Sequence, residues 1–152
     1  MIENIPGQLT LGSSLLFSLL TRISIGNIPE NYDILLHPIC FAGWIGLFVT
    51  SLNLLPIGQL DGGHIAYAVF GEHQVKISKI VFFFLIFLGL LSWFGLGWFG
   101  WFILAMLSSI IGFRHPPVRD PSISLDRSRR LVGLITLVVF FLTFIPVPFK
   151  LT

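Results

Sequence analysis

The sequence predicts an all-α fold: a polytopic membrane helical bundle of about four transmembrane helices plus a short N-terminal interfacial or re-entrant helix. Composition is the first reason. The 152 residues are 55% hydrophobic and only 11% charged, with a mean hydropathy of +0.92, whereas a soluble domain carries about 25% charged residues. The second reason is the grouping of apolar residues into runs that reach the roughly 20 residues of a bilayer crossing, separated by polar connectors. The third is what charge and cysteine exclude. A net charge of +2 without basic residues interleaved among aromatics argues against a nucleic-acid partner. The single cysteine, Cys40, rules out an internal disulfide framework or a cysteine zinc cluster and reads as a packing residue.

The start, Met1 to Gly7, has no basic n-region and carries Glu3, so it is not a signal peptide. It suits a chain with further sequence upstream. The apolar run 9–20 is too short to span and contains Gly12, Ser13 and Ser14, with Arg22 just beyond it. An interfacial or re-entrant helix is expected there. A loop follows to Asp33, with Gly26, Pro29 and Glu30.

Residues 34–55 carry no formal charge and form the first span. Pro38 is tolerated near its start, and Pro56 ends or unwinds it by removing a donor and crowding the Leu52 carbonyl. A short amphiphilic piece, His64 to Phe70, leads into a polar loop to Lys76. The stretch from Ile77 to Phe113 is too long for one crossing. Gly95 and Gly97, between Trp93 and Trp98, divide it into spans 79–92 and 98–113, with the tryptophans at an interface. A connector from Arg114 to Arg130 holds three prolines and five arginines, and 131–146 is the last span, stopped at Pro146 and Pro148. The whole, 1–152, reads as a single membrane domain.

Loop charge orients the bundle. A cytoplasmic arginine connector puts the uncharged Trp/Gly turn outside, Lys76 and Lys79 inside, and Glu30 and Asp33 outside. The first span then ends on the cytoplasmic side, at Asp61.

The run from Asn53 to His64 carries the chemistry. Asn53 and Pro56 are three residues apart, on one helical face where the proline opens the helix. Irregular backbone at membrane depth is tolerated only where protein buries it or a cavity adjoins it. Gly58, Gly62 and Gly63 allow the turns that present Asp61. A carboxylate in such a setting calls for a partner, and a metal ion is a good one. A bare Asp-Gly-Gly is a turn; with Asn53, Pro56 and Gly58 beside it, a functional site is the better reading.

Asn53-x-x-Pro56-x-x-x-Leu60-Asp61-Gly62-Gly63 resembles the second active-site motif of the site-2 proteases, the intramembrane zinc metallopeptidases of the M50 type. His37-Pro38, Ala42-Gly43-Trp44, Arg114-His115-Pro116-Pro117 and Pro146-Val147-Pro148-Phe149 resemble the bacterial and chloroplast-type branch. The resemblance runs from about Leu11 to the end and corresponds to the C-terminal half of such a protease. It implies that Asp61 is a zinc ligand and that Asn53 assists substrate or transition-state binding. Pro56, Gly58, Leu60, Gly62, Gly63 and His64 support the site. It further implies hydrolysis of a peptide bond in a transmembrane or membrane-proximal substrate, with zinc as Lewis acid and source of hydroxide. The setting implied is a multi-pass protein of a bacterial inner membrane or a chloroplast-type membrane, with LDGG on the cytoplasmic or stromal side.

One part of the family pattern is missing. A catalytic zinc takes three protein ligands and water, and the family draws two of them, with the general base, from a His-Glu-x-x-His helix that does not occur here. Of His37, His64, His73 and His115, none is followed by Glu and none lies four residues from another. His37 would lie roughly 30 Å from Asp61 along a straight helix. His64 is read as a neighbour of Asp61 instead of a ligand. The expectation is therefore a form that lacks the His-Glu-x-x-His helix and is inactive alone, its other half lying upstream or on a partner. The alternative is an inert membrane pseudoprotease that binds or regulates partners. A small transporter using Asp61 at a broken helix ranks third, because it calls for a second broken helix with its own buried ionisable residue, which the other spans do not offer.

Overall fold

The computed structural model describes residues 2–3, 9–27, 29, 32–114 and 125–151. The readings placed on Met1, Pro6, Glu30 and the His115-Pro116-Pro117 run lie outside the described residues.

The chain is predominantly helical, but four short strands amend the all-α expectation. β1 (Ile2–Glu3) pairs antiparallel with β3 (Tyr32–Asp33), and β2 (Leu9–Leu11) pairs antiparallel with β4 (Phe149–Leu151). Gly12 continues the second ladder by donating to the Pro148 carbonyl at 2.9 Å.

Among the described residues six helices follow one another: α1 (Leu15–Ile25), α2 (Pro38–Asn53), α3 (Asp61–Phe70), α4 (Gln74–Leu91), α5 (Gly100–Ile111) and α6 (Arg127–Thr143). Their ends differ from the sequence readings for local reasons. α1 starts at Leu15 instead of Leu9, because Ser14 Oγ accepts from the Phe17 N–H at 3.1 Å as an N-cap and residues 9–11 are taken into β2. It runs past Arg22 until Gly26, at φ +86°, turns the chain. α2 starts at Pro38, with His37 Nδ1 accepting from the Ile39 N–H at 3.3 Å. α6 starts at Arg127, capped by Asp126, whose Oδ1 accepts from the Arg129 N–H at 2.8 Å. α4 begins at Gln74, five residues before the expected 79, because Gln74 is wholly buried in a polar cluster described below. α5 is the shortened form of the 98–113 span.

Side-chain contacts fix the sense of each helix. The start of α4 touches the chain beyond α2 and the end of α5: Ser78 bonds Pro56 and Gly58, and Gln74 bonds Phe113. At the other end, Trp101 Nε1–H donates to the Pro146 carbonyl at 2.6 Å, and the Phe48 ring lies 5.8 Å from Trp98 and 6.4 Å from Trp101. Successive helices α2, α4, α5 and α6 therefore alternate in direction. The Asp61 end of this array gathers Lys76, Lys79, Arg114, Arg127, Arg129 and Arg130.

Between the ends lies one apolar core, built on Leu55, Ile57, Leu85, Leu88, Trp101, Ala105 and Phe140. Of the two tryptophans flanking the Gly95–Gly97 turn, Trp93 is 85% exposed, whereas Trp98 is half-buried against the core; Trp44 and Trp101 are buried, with their indole N–H groups bonded to backbone carbonyls. The run Asp61–Phe94 is long and apolar enough to cross a membrane, while α1, α2 and α5 are apolar but shorter.

Candidate metal-ligand loop

Seven residues, 54–60, connect α2 to α3, and they are held at nearly every position. The Leu54 N–H closes α2 on the Thr50 carbonyl at 2.9 Å, and Leu55 reaches back to Leu52 at 3.3 Å. The Leu52 carbonyl, which the proline was expected to free, is thus partnered. Asn53 is the last residue of α2 and is exposed, whereas Pro56 is buried beyond the helix end, so the two do not share a helical face. Leu55 and Ile57 anchor the loop in the core, and Leu60 packs against it.

The glycines serve close approach. A Cβ on Gly62 would overlap the Leu54 carbonyl, and one on Gly63 would overlap the Gly58 carbonyl. The first turn of α3 therefore crosses the loop at backbone contact. Gly58 itself sits at φ +51°, against the Gly112 carbonyl at the end of α5. The Gly-Gly pair after Asp61 is a packing requirement as well as a turn.

This crossing leaves Asp61 at the first position of α3, exposed, where the helix dipole favours a carboxylate. His64, also exposed, is one turn along the same helix. Asn53 and Asp61 flank the loop and both face outward. His37 caps α2 at its far end, and His73 Nδ1 donates to the Phe70 carbonyl at 3.2 Å, so each has a local structural task.

Sequence reasoning missed the cluster beneath the loop. Ser78 Oγ donates to the Pro56 carbonyl at 3.0 Å and accepts from the Gly58 N–H at 3.2 Å and from Gln74 Nε2 at 2.8 Å. Gln74 Nε2 also donates to the Phe113 carbonyl at 3.1 Å. That carbonyl can only accept, which fixes the amide orientation and leaves Gln74 Oε1 buried without a partner. The one sequence signal was a glutamine and a serine four residues apart at the head of an otherwise apolar helix.

The residues present do not by themselves make a zinc site. Among the described residues no three His, Cys, Asp or Glu side chains come together, and Asp61 brings only one carboxylate.

The fold and loop thus define a class: an apolar helical protein that presents one exposed carboxylate from a glycine-packed break between helices. Comparison with known proteins gives the family. The model of peptidase family M50 matches residues 6–92, and the chain belongs to that family. It is 34% identical over 120 residues to the probable zinc metallopeptidase EGY3, chloroplastic, of Arabidopsis thaliana, covering 79% of this chain and 20% of that protein. Against the probable zinc metalloprotease EGY1, chloroplastic, of the same plant it is 36% identical over 75 residues, 49% of this chain and 14% of the relative. For EGY2 of Arabidopsis thaliana the identity is 27% over 136 residues, 88% of this chain and 23% of the relative. The chain therefore spans about a fifth of the length of these relatives. No solved structure matches it.

Proposed function

We propose that this chain is the aspartate-bearing part of a zinc-dependent intramembrane endopeptidase. Asp61 is one protein ligand to the metal, and Asn53 faces the peptide substrate. The two histidines and the glutamate come from a His-Glu-x-x-His helix that is not among these 152 residues. The observation that carries the reading is the LDGG crossing: family membership together with a loop whose glycines admit nothing larger and whose only outward acid is Asp61. The substrate class is a transmembrane or membrane-proximal peptide. Zinc, once fully coordinated, would supply Lewis acidity; this chain supplies the ligand and the surface around it.

The membrane is the second part of the proposal. α2, α4, α5 and α6 cross it in alternating directions, with the lysine and arginine end, and with it Asp61, on the cytoplasmic or stromal side. Support comes from the outward residues of these helices, which are large and apolar: Ile80, Phe83, Phe87, Ile110, Val138 and Phe141 are all exposed. α5, at 12 residues, reaches about 18 Å, so its crossing draws on the segments flanking it. The relatives are chloroplastic proteins, which supports a chloroplast-type membrane.

A catalytically inert member that binds membrane partners is the alternative, favoured by the lack of a three-donor cluster among the described residues. One experiment separates the readings. The purified chain alone should hold no stoichiometric zinc by elemental analysis. Co-expressed with a membrane segment carrying His-Glu-x-x-His from a full-length relative, it should retain one zinc per complex and lose it in Asp61→Ala. A complex that forms without zinc would favour the inert member, and tight zinc on the chain alone would overturn the split-site reading.

A further inference from the structure

α1 buries none of its residues and leaves several of its large apolar side chains exposed. Its outward residues are Leu15, Leu19, Leu20 and Ile23, exposed by 66%, 55%, 50% and 74%. Three of its polar residues, Ser18, Thr21 and Arg22, line a half-open cavity of about 950 Å3 bordered by α1, β2, the segment before α2 and the first turn of α2. Thr10, Ser13 and Asn27 add further polar groups to that wall. Ser18 Oγ and Ser13 Oγ are bonded to each other at 2.9 Å.

Such a wall is costly against hydrocarbon. An arginine cannot give up its proton, and its five donors need water or an anion. Arg22 is the only charged residue lining the cavity among the described residues. At about 30 Å3 per molecule the space would hold on the order of 30 waters. The cavity is separate from the LDGG loop: Phe41 lines it, and Asn53 lies twelve residues further along α2, about 18 Å away by helical rise.

We propose that this cavity is a hydrated vestibule, walled on one side by α1, that admits water and small anions to the start of α2 at the face opposite Asp61. The proposal rests on the membrane reading given above, since it is lipid beside α1 that accounts for exposed Leu15, Leu19 and Ile23 on a helix whose Arg22 lines the cavity. Water supplies hydrogen bonds to the guanidinium and to the remaining donor and acceptor sites of the hydroxyl groups, and Arg22 selects for negative charge.

Thiol accessibility tests it. In a Cys40→Ser background, reconstituted in phosphatidylcholine vesicles, single cysteines replace Ser18, Thr21, Leu19 and Ile23. Membrane-impermeant methanethiosulfonates, one anionic and one cationic, are then applied. Ser18→Cys and Thr21→Cys should react at least about tenfold faster than Leu19→Cys and Ile23→Cys, because the thiolate forms only where water reaches. Thr21→Cys should prefer the anionic reagent, and Arg22→Gln should remove that preference. Fast reaction at all four positions would mean that α1 stands in water, and the membrane reading of α1 would fall. Slow reaction at all four would leave that reading in place and overturn the vestibule. Equal rates for the two reagents at Thr21→Cys would overturn the anion selectivity. Hydroxyl-radical footprinting of the unsubstituted chain is independent of any folding defect: Phe17 and Phe41 should be oxidised and the outward Phe83 and Phe87 protected, with the reverse pattern counting against the vestibule.

Discussion

Ser78 Oγ donates to the carbonyl of Pro56 at 3.0 Å, joining the first turns of α4 to a loop twenty-two residues earlier. The same oxygen accepts from Gly58 and Gln74, so its one donor and two acceptor sites are all used. Pro56 has no N–H to offer, so its carbonyl is the one backbone group through which that residue can be fixed. The position of Asp61 is thus set from below by a side chain on another helix.

Ser78→Ala should therefore lower stability by about 1–3 kcal/mol, the cost of leaving buried Pro56 and Gly58 backbone groups without a partner. Thermal unfolding in detergent measures the loss. Hydrogen exchange should also quicken at the Gly58 amide while the amides of α6 keep their protection. Uniform loosening of both would mean that the serine serves the whole bundle and not the loop.

Gly62→Ala and Gly63→Ala should each destabilise by about 1–3 kcal/mol, since the added methyl meets a backbone carbonyl that cannot move aside without shifting the loop. Gly43→Ala and Gly46→Ala provide the contrast. Nothing lies within 4 Å of a Cβ at either position on α2, so these should be neutral or stabilising by up to about 1 kcal/mol through helix propensity. Equal melting shifts for all four would contradict the close crossing of α3 and the loop.

How much of this was readable beforehand follows from where each partner lies. Pro56 and the three glycines act on their own backbone, so a break before Asp61 could be read from the run itself. The Ser14 and Asp126 caps needed only a bond three residues away, yet apolar runs drew attention from them and the helix starts moved. Gln74 reads as loop because it is polar; its partners are Ser78 and, thirty-nine residues on, Phe113. The β2–β4 ladder joins residues 140 apart through three-residue strands with no alternation long enough to register. The outward placing of Asp61 was likewise not legible, because it depends on how α3 crosses its own loop.

Trp101 offers a test of the opposite end. Its indole N–H donates to Pro146 at 2.6 Å from a fully buried site, and Phe144 packs on its ring with centroids 5.1 Å apart. Trp101→Phe keeps part of the ring contact and strands the carbonyl, which should cost about 1–3 kcal/mol. Trp93→Phe, at an exposed indole, should stay within about 0.5 kcal/mol of the parent. The difference between the two melting temperatures is the readout, and parity would remove Trp101 from the core.

Asp61→Asn separates ligand from scaffold. The side chain is exposed and makes no tertiary hydrogen bond or ion pair among the described residues, so the fold has little to lose beyond the favourable charge at the α3 N-terminus, about 0.3–1 kcal/mol. Metal retention in the complex with a His-Glu-x-x-His segment should fall much further, because an amide is a far poorer zinc donor than a carboxylate. The informative quantity is the ratio of the two effects, measured as melting temperature and zinc content of the same preparation. A large loss of stability with zinc unchanged would make Asp61 a helix-starting residue and nothing more. A small loss of stability with zinc gone is the pattern of a ligand held ready on a loop that other residues keep in place.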